Sequence, residues 1–175
     1  GVHLSEGDFK KALSYLVPIL AFVAGIFVDE WIKHRLEGKV ALHWRQTVLL
    51  IEILALIVVI FLPLGKADPL ANALVSFICS MQVQSFRKFH GMPYATTMCT
   101  GNLRSGTDHL VKYFQTKDPS RREKSLHYYS IILFFILGAA IGAVGTKLWG
   151  SPALVICCVL LAIAFAMLFV KPKTE

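Results

Sequence analysis

Long apolar blocks alternate with short polar connections along this chain of 175 residues. The apolar blocks cover approximately residues 12–28, 46–62, 125–146 and 152–170. At a helical rise of about 1.5 Å per residue, each block is long enough to cross most or all of the hydrocarbon core of a bilayer. The pattern therefore predicts an all-α fold, a polytopic transmembrane helix bundle that forms a single domain over residues 1–175.

Residues 69–114 differ from the other blocks because polar and charged side chains lie inside a segment that is expected at membrane depth. This stretch begins as an apolar helix, breaks around Gly91 and Pro93, and continues as a second helix. Three- and four-residue steps place the polar residues on one face of each helix. Those residues are Ser76, Ser80, Gln84 and Lys88 before the break, and Thr97, Thr100, Arg104 and Asp108 after it.

A helix that breaks at membrane depth needs protein or water around the break, because lipid offers no hydrogen-bond partners. We therefore predict that residues 69–114 line a cavity, and we count them as one crossing in a bundle of about five spans. The alternative is that residues 92–114 form an amphipathic helix at the membrane surface, with Arg104 and Asp108 in water.

Composition excludes an ordinary soluble domain, since 55% of the residues are hydrophobic and only 17% are charged. The formal net charge of +7 does not indicate a nucleic-acid partner, because the basic residues are dispersed among short loops. Most lysines and arginines collect on one side of the predicted bundle, and that side should be cytoplasmic. We expect a multi-pass protein of the plasma membrane or bacterial inner membrane with a cytoplasmic C-terminus.

The spacing and surroundings of several glycines, one glutamate and the four cysteines allow further predictions. The pairs Ala21/Gly25 and Gly138/Gly142 are spaced as in close helix packing. Glu52 leaves two interpretations open: it lies near the surface in water, or it faces the interior of the bundle with a partner. The cysteines have no metal-ligand spacing and are expected to be buried small apolar residues. They are Cys79, Cys99, Cys157 and Cys158.

A weak internal match appears when the chain is shifted by 113 residues. The shift brings Tyr15 onto Tyr128, Phe22 onto Phe135 and Gly25 onto Gly138. The matched helices are three crossings apart, which predicts an inverted repeat of three helices, with residues 1–68 the remainder of the first repeat and 69–175 the second. The counterpart of the broken helix is then expected before Gly1.

Short motifs around the break at Gly91 and Pro93 allow a comparison with known membrane proteins. Met81-Gln82, Arg87 and the segment TTMCTGNL at 96–103 resemble the second-half pattern of the YoaK-like family of bacterial membrane proteins. The resemblance implies about six transmembrane helices and a family of unknown function. Val83 stands where the family usually has Asn, and the family's first helix and its Met-Thr-Gly-Asn motif do not occur in this chain.

The polar residues around the break form the candidate binding site. A helix that begins just after Pro93 would direct free N–H groups and its positive dipole end into the cavity, and Arg87 and Arg104 would add positive charge. Together these groups favour an anionic or polar small solute. The candidate site consists of Gln82, Gln84, Arg87, Thr96, Thr97, Thr100, Gly101, Asn102, Arg104 and Asp108.

Asp108 is also placed one helical turn from Arg104, so solute contact, a structural ion pair and an exposed pair all remain open for that arginine. We predict a small-solute transporter or channel rather than an enzyme, with no cofactor and no metal. The alternatives are an intramembrane enzyme that uses Asp108 and His109 on a lipid or headgroup, and a non-catalytic assembly protein. Expected partners are the bilayer, a small solute and, as one option, a second copy of the chain.

Overall fold

The computed structural model describes residues 7, 9–37, 43–63, 65, 67–89, 92–93 and 99–169. Within these ranges the chain forms six α-helices, one short 3₁₀ helix and two strands of two residues. The elements are α1 (Phe9–Leu36), α2 (Trp44–Phe61), α3 (Asp68–Ser85), β1 (Lys88–Phe89), β2 (Met92–Pro93), α4 (Cys99–Thr116), α5 (Pro119–Trp149), the 3₁₀ helix (Ser151–Ala153) and α6 (Leu154–Met167).

Two compact units make up the chain. The first contains Gly1–Ser85 together with Trp149–Glu175, and the second contains Phe86–Leu148. In the first unit α3 packs against both α1 and α2, and α6 packs against α2. The centre of this unit is an apolar cluster from α1, α2 and α3: Ile32, Trp44, Val48 and Met81, with Val28, Leu36, Ile51 and Phe77 around it.

The surface of the chain differs from that of a soluble protein, because large apolar side chains are exposed while two carboxylates are buried. Asp29 and Glu52 are completely buried, whereas Phe27, Phe61 and Phe134 are 72%, 82% and 73% exposed. Large apolar side chains on the outside are stable when lipid surrounds them, and polar groups then turn inward. The chain is therefore a helical membrane bundle, as predicted.

Among the described residues, three helices are long and apolar enough to cross a membrane: Leu13–Leu36, Trp44–Phe61 and Pro119–Trp149. The apolar stretch Ser151–Met167 is shorter. Helices α1 and α5 extend beyond the predicted apolar blocks into polar residues, because a helix hydrogen-bonds its own backbone in water as well as in lipid. The predicted total of five spans and the inverted repeat stay predictions.

Gly25 is buried where α1 contacts α3. A Cβ at this position would lie 2.6 Å from the Phe77 carbonyl oxygen and would also collide with Ser80. The predicted small-residue contact at Gly25 is therefore confirmed. At Gly138 and Gly142, by contrast, an added Cβ meets nothing within 4 Å in the described part of the chain, so their expected helix contact is not formed there.

The break after α3 differs in form from the prediction. Helix α3 ends at Ser85, and Lys88 lies in a short antiparallel pairing with Pro93 instead of on the polar face of a continuing helix. Proline has no backbone N–H and disfavours a helical residue before it, which explains an extended chain here. The described part of the next helix begins at Cys99, while Gly91, Thr96, Thr97 and the predicted helix start directly after Pro93 lie outside the described residues.

In the second unit α4 and the beginning of α5 pack as a helical pair. The Ser125 hydroxyl donates to the Gly106 carbonyl oxygen at 2.8 Å, and a Cβ on Gly106 would lie 3.1 Å from the Tyr128 Cβ. The Thr107 and Tyr129 hydroxyl oxygens are 3.0 Å apart. Small and hydroxyl side chains therefore allow these helices to approach closely.

Candidate functional site

Two carboxylates occupy the interior of the first unit. Asp29 of α1 and Glu52 of α2 are both completely buried, and both lie within candidate membrane spans. They are close enough to interact electrostatically. Buried ionisable groups inside membrane spans are costly and commonly mark sites of transport or proton movement.

Glu52 has a partner on α3. The side-chain amide of Gln82 donates from Nε2 to Glu52 Oε2 at 2.9 Å. The other carboxyl oxygen, Oε1, is buried and has no hydrogen-bond partner among the described residues. Of the two interpretations of Glu52, the structure confirms the one in which it faces the bundle interior with a partner.

Asp29 has its partner at the end of α3, the helix that also carries Gln82. The Ser85 hydroxyl donates to Asp29 Oδ1, while Oδ2 is buried without a hydrogen-bond partner in the described part of the chain. The Ser85 carbonyl oxygen accepts from Arg45 Nε at 3.2 Å. This bond holds the end of α3 against the start of α2. The Arg45 guanidinium also lies 4.9 Å from the centre of the Trp44 ring on its own helix.

These contacts define a carboxylate cluster, which consists of Asp29, Glu52, Gln82 and Ser85. Within the described residues, each carboxylate has one oxygen with a hydrogen bond and one without. A buried polar group without a partner costs free energy, roughly 1–3 kcal/mol and more when charged. The cluster is therefore suited to a ligand that supplies the missing hydrogen bonds, such as a proton or a small polar or cationic solute.

A second polar contact lies beside the cluster. The Gln84 side-chain amide donates to a carboxylate oxygen of Glu30, and this pair is more exposed than the cluster. Gln82 and Gln84 were both predicted as site residues, and both bind acidic side chains of neighbouring helices. Arg87, the next predicted residue, is exposed beyond the end of α3.

The remaining predicted residues belong to the second unit. Thr100, Gly101, Arg104 and Asp108 are exposed on α4, and Asn102 is buried. Thr96 and Thr97 lie outside the described residues.

Asp108 pairs with Lys112 rather than with Arg104. The Lys112 Nζ donates to Asp108 Oδ2 at 2.7 Å, and this hydrogen bond lowers the pKa of Asp108 below its ordinary value. Both side chains are about half exposed. The contact is an exposed helical ion pair one turn long, which contributes little to stability.

His109, the predicted base of the alternative enzyme, is held by packing. Its ring stacks on Tyr128 with 5.9 Å between centroids, and its Nδ1 lies 3.4 Å from Arg121 Nη1. Partial burial has the largest effect and lowers the pKa of His109, and the positive charge of Arg121 lowers it further. The arginine beside the imidazole disfavours its protonated form and so keeps the ring neutral.

Sequence reasoning missed Asp29 and Ser85. Asp29 lies on the buried face of α1 between Gly25 and Ile32, at steps of four and three residues, and Ser85 follows the buried Met81 by four. That spacing is the signal that could have found them, because it places both on a helix face that packs inward. Their position near the ends of apolar blocks instead suggested water.

The cysteines are also placed differently from the expectation. Cys157 is exposed, while Cys79, Cys99 and Cys158 are half-buried. A thiol is small and weakly polar, so an apolar surrounding outside the protein suits it as well as the interior does. Among the described residues, no three His, Cys, Asp or Glu side chains come together as a metal site.

Apolar spans around a buried polar cluster define an integral membrane protein of helical type. The chain belongs to the family described as "Protein of unknown function (DUF1275)", whose model matches residues 1–167. Membership agrees with the YoaK-like resemblance of the motifs around the break. A search of curated proteins and a search of solved structures each found no match.

Proposed function

We propose that this protein carries a small polar solute across the membrane, as a transporter or channel, and that the carboxylate cluster forms its binding site. One observation carries the proposal: Asp29 and Glu52 are completely buried within apolar helices, and each has an unbonded oxygen among the described residues. A purely structural polar contact would satisfy both oxygens, because an unsatisfied buried group lowers stability.

The chemistry of the cluster favours a neutral or cationic solute. The anion expected from the sequence depended on Arg87 and Arg104, which are exposed and belong to the second unit. The buried oxygens of Asp29 and Glu52 would repel an anion and accept hydrogen bonds from hydroxyl or ammonium groups. The inverted repeat, the division at residues 68 and 69, and the cytoplasmic C-terminus remain part of this proposal.

The break after α3 supports the same proposal. Helix α3 ends at Ser85, the residue that binds Asp29, so the last turn of this helix holds both Gln82 and Ser85 against the carboxylates. Transporters commonly bind their solutes where helices are interrupted near the middle of the membrane. A shift of the end of α3 would break both contacts together and open the cluster.

The test is solute-driven swelling of liposomes that contain the purified protein, recorded by light scattering with glycerol, urea, methylammonium and acetate. At least one of the first three should enter faster than in protein-free liposomes, and Gln82→Leu should reduce that rate by about tenfold, the effect of losing roughly 1.4 kcal/mol of solute binding. The control is Gln115→Leu, an exposed glutamine on α4. Rates equal to protein-free liposomes for all four solutes would refute the proposal, and swelling with acetate alone would refute the preference for neutral and cationic solutes.

A further inference from the structure

We infer that Glu52 is the proton-binding group of this site, which takes up one proton from one side of the membrane and releases it on the other. This inference rests on the proposed transport function and names the ion that drives it. The atom that binds the proton is Glu52 Oε1, which has no hydrogen-bond partner among the described residues.

Within the described part of the chain, the neighbours of Glu52 provide no positive charge. Its bonded oxygen accepts from the neutral amide of Gln82. Within the described residues, its charged or titratable neighbours are Asp29 on α1 and the Cys79 thiol on α3. Helix α6, which packs against α2, carries only Cys157 and Cys158 as titratable groups.

Asp29 is in a different electrostatic position. Lys33 and Arg45 both act on it, and Glu30 opposes them. Two basic side chains of this unit therefore act on Asp29, which lies where Ser85 and Arg45 meet. Glu52 lies deeper along α2 than Arg45, by about 10 Å at 1.5 Å per residue.

An ionised carboxylate without a cation is too costly in such a place, so Glu52 holds either a proton or a cation while it is buried. The donor set favours the proton. Gln82 presents an N–H group to Glu52, and Ser85 presents its O–H group to Asp29, so both neutral neighbours occupy carboxylate oxygens with donors. A metal cation needs several oxygen ligands, and these donors oppose it.

The step is balanced without any redox partner. A proton from water on one side forms an O–H bond at Oε1, and the Gln82 bond to Oε2 is kept. When the cluster opens to the other side, the O–H bond breaks and water there accepts the proton. The carboxylate is then ionised only while water reaches it, which removes the cost of burying its charge.

Dicyclohexylcarbodiimide, an apolar reagent that forms a stable adduct with protonated carboxyl groups, tests the inference in the purified wild-type protein. We expect an adduct on Glu52 by peptide mass spectrometry, more at acidic than at alkaline pH. Glu52→Gln should remove it and Glu123→Gln, an exposed glutamate of α5, should keep it. Absence of the adduct at every pH, or its suppression when sodium chloride replaces choline chloride, would overturn the inference.

Flux measurements separate this inference from the proposed function. With the solute that swells the liposomes fastest, an imposed pH gradient should accelerate uptake in the wild type but not in Glu52→Gln. Equal acceleration in both proteins would overturn the proton site and leave transport intact. A Glu52 adduct with no flux of any tested solute would instead keep the proton site and refute the transport function.

Discussion

Gly25 of α1 lies directly against Ser80 of α3, and no other residue type fits this contact without movement of one helix. The Ser80 hydroxyl donates to the Phe77 carbonyl oxygen at 2.7 Å, so the atoms that face Gly25 are held in place. Gly138, which the internal match pairs with Gly25, has open space at the corresponding position. Packing among the described residues therefore requires Gly25 but does not require Gly138.

Gly25→Ala should therefore destabilise the protein, because overpacking a close helix contact costs about 1–3 kcal/mol. The detergent-purified variant should unfold at a lower temperature, by roughly 2–4 °C for each kcal/mol in a chain of this size. Gly138→Ala is the matched control and should unfold at the wild-type temperature or slightly higher, since alanine favours a helix. Equal losses in the two variants would contradict the contact between α1 and α3.

Ser85→Ala should also destabilise the first unit. The change removes the hydroxyl that donates to Asp29 and leaves that buried carboxylate without this hydrogen bond. The expected cost is about 1–3 kcal/mol, the penalty of an unsatisfied buried group. Urea unfolding should show it, whereas Ser130→Ala, an exposed serine of α5, should match the wild type. Identical unfolding of both variants would show that the Asp29–Ser85 bond contributes nothing.

Acid should weaken the α4–α5 pair through His109. Its pKa in the folded protein is lowered by partial burial and by Arg121, so the folded state binds this proton less readily than the unfolded chain does. Protonation then favours unfolding, and stability is lost as pH falls below the ordinary value near 6.5. Stability at alkaline pH is unaffected by this group.

Arg121→Gln should raise the pKa of His109, because removal of a like charge makes protonation easier. An NMR titration of the labelled histidine ring in micelles measures the change. Arg122→Gln, an exposed arginine one position along α5, is the control and should leave the titration unchanged. A shift of the same size in both variants would mean that general surface charge, not the 3.4 Å contact with Arg121, sets the pKa.

Helix α4 should expose one face to water and another to lipid. Its apolar residues Leu103, Val111 and Phe114 are 48%, 49% and 60% exposed, so they are as accessible within the chain as the polar Arg104 and Asp108. Only a surrounding membrane would protect them, because lipid covers apolar surface and excludes polar reagents. This expectation favours the surface-helix alternative for residues 92–114.

Single cysteines in a cysteine-free background test this arrangement with a membrane-impermeant thiol reagent. We expect labelling at Arg104 and Asp108 at least about tenfold faster than at Leu103 and Phe114, since transfer of a charged reagent into lipid is strongly unfavourable. Labelling at all four positions at similar rates would contradict a lipid-facing side. Labelling of Thr100 that a transported solute blocks would instead support the predicted cavity.

The helices were predictable because their apolar blocks are long and nearly free of charge. Residues 46–62 correspond closely to α2, Trp44–Phe61. The predicted start of the next helix, directly after Pro93, lies outside the described residues, and the described helix α4 begins at Cys99. The extended pairing of Lys88 with Pro93 depends on contacts across the turn, and side-chain periodicity does not report these.

Only part of the candidate site was predictable, because patterns along the sequence do not report contacts between helices. Gln82 and Gln84 stood out as polar residues in an apolar helix, and Glu52 was recognised with two alternatives. Asp29 follows directly after the apolar block 12–28, where water is an equally good explanation. Ser85 lies where the first helix of residues 69–114 turns polar, so it did not stand out from its neighbours.

Hydropathy along the chain was sufficient to establish an integral membrane protein with helical spans, because the free energy of placing a residue in lipid depends mainly on its own side chain. The partners of the buried polar groups depended on the packing of α1, α2 and α3. Gly25 lets α1 approach α3, where Ser85 meets Asp29, and the packing of α3 on α2 brings Gln82 to Glu52. The Gln82–Glu52 and Ser85–Asp29 pairs are separated by 30 and 56 positions in the sequence. Such pairs are a property of helix contact, and no local pattern encodes them.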